Sequence, residues 1–155
     1  MKPTDISQAQ PVLVPENAGL KQDTAHEQRV MNRTIFAKAG AVAYVIWGLL
    51  HLQAAWSVYT LGRSMPSGMA SGRVLQDAWN LLWFSILAIL AAVTLNWRND
   101  ARGWWINLAV VSIADLGFVF FVLVPGHGPL WPGLVGPIFW IAGLILSSVA
   151  LRQKS

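Results

Sequence analysis

Residues 104–124 read WWINLAVVSIADLGFVFFVLV, a run of 21 residues with a single ionisable side chain, Asp115. As a helix this run rises about 30 Å, the thickness of a bilayer's hydrocarbon core. An open strand is excluded, because lipid offers its backbone groups no partners. The run also lacks the period-2 alternation of a membrane barrel strand. Three further runs share its character: 39–59 (AGAVAYVIWGLLHLQAAWSVY), 76–95 (QDAWNLLWFSILAILAAVTL) and 131–151 (WPGLVGPIFWIAGLILSSVAL). The pattern predicts an all-α membrane protein, an antiparallel four-transmembrane-helix bundle. Short connections between the runs make sequential helices antiparallel neighbours.

Composition agrees. The 155 residues are 55% hydrophobic and 12% charged, against about 25% charged in soluble domains, and mean hydropathy is +0.49. The absence of cysteine excludes disulfides, thiolate nucleophiles and thiolate metal sites. The net charge of +4 is not read as a nucleic-acid footprint, since the basic residues flank the apolar runs. Two regions are therefore expected. Residues 1–34 form a cytoplasmic, largely disordered polar tail, with 25–36 as a short interfacial helix at most. Residues 35–155 form the transmembrane domain.

Lysine and arginine set the orientation. Arg29, Arg33, Lys38, Arg98, Arg102, Arg152 and Lys154 fall on one side of the four runs, and only Arg63 and Arg73 on the other. The asymmetry predicts a multi-pass protein of the cell membrane with both termini cytoplasmic. Trp97, Trp104 and Trp105 mark the inner interface, and Trp56, Tyr59, Trp79 and Trp131 the outer one.

Polar groups inside the spans are costly, so each requires a partner or a purpose. Asp115 sits mid-span, where a carboxylate costs about 2.5–3.5 kcal/mol on insertion scales. It must face the bundle interior, as a hydrogen-bonded tie between helices or as a proton- or cation-handling group. Ser112, one turn earlier, is expected to donate to it. His51 lies at a similar depth in the first run, and a His–carboxylate pair would make Asp115 and His51 the candidate acid and base. A histidine hydrogen-bonded to a backbone carbonyl is the plainer alternative. Asp77 and Asn80, in the outer turns of the second run, are expected to join them around a cavity opening outward. Asp77 is equally explained by a helix N-terminus. His127, framed in Pro125-Gly126-His127-Gly128-Pro129, is either a tight turn or a lid over that cavity.

No metal motif is found, and haem is unsupported with a single histidine in a span. Neither cofactor nor metal is expected. The expected function is that of an accessory or structural membrane protein binding a lipid-like ligand or a partner subunit. Membrane lipid, an apolar small molecule, a second copy or a partner membrane subunit are the expected partners, and nucleic acid is not. Two other classes stay open: an intramembrane acid–base enzyme on an apolar substrate, and a proton-coupled small transporter using Asp115.

Overall fold

A computed structural model describes residues 16–154, with side chains from Gln22 onward. Residues 1–15 of the expected tail lie outside the described residues. The elements are α1 (Glu16–Ser64), α2 (Met69–Thr94), a 3-10 turn (Asn96–Arg98), α3 (Ala101–Phe118) continued by a π-helical turn (Val119–Leu123), a single helical turn α4 (Leu130–Gly133) and α5 (Val135–Arg152). No strand occurs among the described residues. Four helices are long and apolar enough to cross a membrane.

Small residues set how closely these helices approach. On α2, Ser71, Ala78, Ser85 and Ala92 recur every seventh residue, and all are buried. They face α1, which supplies Gly48, Ala55 and Gly62 at the same spacing. A Cβ on Gly62 would lie 2.9 Å from Leu75 Cδ2 and 3.2 Å from the Leu75 backbone nitrogen, so that backbone approach requires glycine. A second face of α1 carries Gly40, Tyr44, Trp47 and His51 at helical spacing and meets α5. There, a Cβ on Gly143 would lie 3.0–3.1 Å from the Tyr44 ring. Small residues at helix interfaces let backbones close together and gain dispersion contacts. Tyr44, Trp47, Ala88, Ala92 and Val111 form the buried core of this arrangement. α3 closes the fourth side with an i, i+4 stripe of Gly103, Asn107, Val111 and Asp115.

One end is tied by polar contacts. Asn99 stands in the left-handed region (φ 55°) and its amide donates to the Ala150 carbonyl at 3.0 Å. Buried Asn96 and Asn107 pair their amides at 2.9 Å. Trp104 Nε1 donates to Ser148 Oγ at 2.9 Å. Asp100 caps α3, accepting from the Arg102 backbone N–H at 2.9 Å.

Two expectations change. Residues 16–34 are helical, continuous with the first apolar run, where a largely disordered tail with at most a short helix at 25–36 was expected. Local bonding supports the extension: Gln28 reaches Asn32, Arg29 reaches the Ala25 carbonyl and Thr34 reaches the Val30 carbonyl, each one turn away. Residues 22–30 are exposed throughout, so this part of α1 projects beyond the packed region. The second helix starts at Met69, seven residues before the apolar run. Its first turns are held by tertiary contact, with Ser71 Oγ donating to the Gly62 carbonyl at 2.8 Å.

Candidate functional site: a buried carboxylate among Trp47, His51 and Gly136

Asp115 belongs to the buried stripe of α3, and its side chain reaches α1. Its carboxylate is fully buried. Trp47 Nε1 donates to Oδ2 at 2.8 Å. His51 Nε2 stands 3.3 Å from Oδ1, and Oδ1 has no other partner. Both partners come from α1, where Trp47 and His51 are one turn apart and therefore share a face. Their rings stack at 3.8 Å with 22° between planes. His51 Nδ1 lies 2.9 Å from the Trp47 carbonyl oxygen. The imidazole is thus held on both ring nitrogens and on one face.

The fourth wall is backbone. A Cβ on Gly136 of α5 would lie 2.8 Å from His51 Cε1 and 3.7 Å from Asp115 Oδ1. Only a residue without a side chain lets α5 approach the imidazole so closely. The site is closed on the Asp115 side, and only the histidine reaches out, its side chain 12% exposed.

Other expected site residues stand elsewhere. Ser112 does not serve Asp115; its hydroxyl accepts from Trp140 Nε1 at 3.0 Å and ties α3 to α5. Spacing on one helix put Ser112 within reach of Asp115, but α5 offers an indole donor on the other side. Asp77, Asn80 and His127 are all exposed, and no contact joins them to Asp115. Asp77 and Asn80 lie on the outward face of α2, and His127 lies in the loop before α4. The expected polar cavity is therefore not what the packing makes. A groove lies between α1 and α2, with a volume of about 410 Å³. Leu52, Trp56, Tyr59, Leu75, Trp79 and Leu82 give it an apolar lining, and Arg63 stands at its end. It does not reach His51, which faces α3 and α5.

Trp47, Trp140 and Gly136 were missed in the sequence. A signal existed for the first two. An indole N–H packed between helices requires an acceptor, and a buried carboxylate and a half-buried serine supply them here. Among the described residues no three His, Asp or Glu side chains converge as a metal site would need.

No protein-family model matches this chain, and no curated protein or solved structure does.

Proposed function

We propose that this chain is an accessory polytopic membrane protein that binds a lipid-like ligand in the groove between α1 and α2. In this reading the four apolar helices form an antiparallel bundle, with both termini cytoplasmic. Large apolar side chains on the outer faces, such as Trp83, Ile113, Phe121 and Ile145, then meet lipid tails. A shared side for the start of α1 and the end of α5 is supported by one recess that His26, Arg29 and Arg33 line together with Gln153 and Lys154. Lys38 belongs to the same end, its ammonium 5.5 Å from the Trp97 ring centroid.

The groove carries the functional reading. Its volume falls within the usual range of about 300–1,000 Å³ for small-ligand sites. Its walls are apolar, and aromatic residues and Arg63 stand at the end that the charge pattern assigns to the outer interface. A lipophile could enter it from the bilayer. The polar cluster at Asp115, by contrast, is closed to any substrate as large as a lipid. This favours a binding function over an intramembrane enzyme or a transporter, whose substrate would have to reach the acid and base.

The test is mass spectrometry of the purified protein under conditions that keep lipids bound. A discrete lipophile should accompany the wild-type chain and be lost from Leu52→Trp, which fills the groove. Equal retention by both proteins would refute the reading.

A further inference from the structure

Three distances determine where hydrogens can stand around His51. The Trp47 carbonyl oxygen, 2.9 Å from Nδ1, can only accept, so Nδ1 carries a hydrogen. A neutral imidazole has one ring hydrogen, which leaves Nε2 bare. Nε2 nevertheless faces Asp115 Oδ1 at 3.3 Å, and Oδ1 lacks any other donor. Oδ2 is already served by the Trp47 indole. With no hydrogen between them, a lone pair on nitrogen would oppose a carboxylate oxygen in a dry interior. One hydrogen between Oδ1 and Nε2 resolves the conflict.

We propose that Asp115 and His51 form an intramembrane proton-binding site that holds one proton shared between Oδ1 and Nε2. In one form Asp115 is a carboxylic acid whose O–H donates to Nε2. In the other the O–H bond is broken and an N–H bond made, giving a carboxylate beside an imidazolium. The transfer moves one proton between two atoms and leaves the total charge at zero in both forms. Electroneutrality suits a place where an unpaired charge is costly. Adding or removing a proton leaves the unit with a net charge, so proton exchange here changes the electrostatics of the span.

Among the described residues no other ionisable group is in contact with the pair, whose neighbours are Trp47 on α1 and Gly136 on α5. Among the described residues the only other ion pair is Asp100–Arg102, near the start of α3. Exchange with the outside runs through His51, since its edge is partly exposed while Asp115 is sealed. Trp47 fixes both the ring plane and the tautomer, which makes it a positioning residue. This inference stands apart from the lipid groove, and neither depends on the other.

The experiment is ¹⁵N solid-state NMR of histidine-labelled protein in lipid bilayers. His26→Asn and His127→Asn, both at exposed positions, leave His51 as the single histidine. Nδ1 should keep its hydrogen from about pH 5 to 9. Nε2 should show a strongly hydrogen-bonded or protonated signal that Asp115→Asn moves toward that of a bare ring nitrogen. A neutral ring with its hydrogen on Nε2 and a bare Nδ1 would overturn the proposal. So would an Nε2 signal unchanged by Asp115→Asn. If Asp115→Asn does not fold, the tautomer in the Asp115 protein decides alone.

Discussion

Replacing Trp47 by phenylalanine keeps an aromatic ring in the core and deletes one donor, the indole N–H that reaches Asp115 Oδ2 at 2.8 Å. Among the described residues no other hydrogen bond serves that oxygen, and the carboxylate has no exposed surface. An unsatisfied buried acceptor generally costs about 1–3 kcal/mol. In membrane hosts the unfolded state also finds partners, and interhelical hydrogen bonds average about 0.6 kcal/mol with a maximum near 1.7. The short distance and complete burial place this bond in the upper part of that range. Asp115→Leu removes the acceptor and leaves both the indole and His51 without their partner. Once either residue is gone, the second substitution has less left to break. The double-mutant cycle should therefore give a coupling of about 1–1.7 kcal/mol, roughly five- to twentyfold in the unfolding equilibrium. Reversible unfolding in mixed detergent micelles measures all four corners. A coupling below about 0.3 kcal/mol, the ordinary scatter of additive pairs, would refute the claim that these side chains are bonded.

Three further outcomes are expected. Gly136→Ala should lower thermal stability by about 1–3 kcal/mol of overpacking, less the better helix propensity of alanine, because the imidazole is backed by Trp47 and cannot retreat; a more stable variant would show that His51 does not abut α5. The Arg102 side chain, together with its backbone N–H, holds the Asp100 carboxyl at about 2, below its ordinary 3.8. Its stabilising contribution is present above the ordinary value and fades as pH falls through about 2, so Asp100→Asn should flatten the acid limb of the stability curve, measured by helix content against pH. A cytoplasm-active reporter fused after Ser155 should be active and a periplasm-active one silent, with the reverse pattern refuting the orientation.

The apolar runs were legible because hydropathy is a local property, written in about 20 consecutive residues each. The burial of Asp115 was legible for the same reason: one carboxyl in an otherwise apolar run must be accounted for wherever the helix goes. Helix ends were not. α2 begins where Ser71 and Leu75 meet Gly62, and that contact belongs to the pair of helices. The 16–34 stretch was read from its lack of apolar surface, which argues against a packed core but not against a solvated helix continuing an existing one. Propagation from a formed helix avoids the cost of a new nucleus.

The site divides in the same way. From sequence alone came the helical class, the four apolar helices, the singular Asp115 and a histidine at comparable depth. These follow from residue type and count along one chain direction. Only packing decided that His51 meets Asp115 across α1 and α3, that Ser112 turns to Trp140, and that Asp77, Asn80 and His127 stay on the surface. Depth in a helix is one coordinate, set by residue number. Rotation about the axis and the choice of neighbour are set by which small residues let two backbones approach. Here Gly40, Gly48 and Gly62 on α1, with Gly136 and Gly143 on α5, make that choice. It turns the Trp47 and His51 face of α1 onto the one carboxylate of α3.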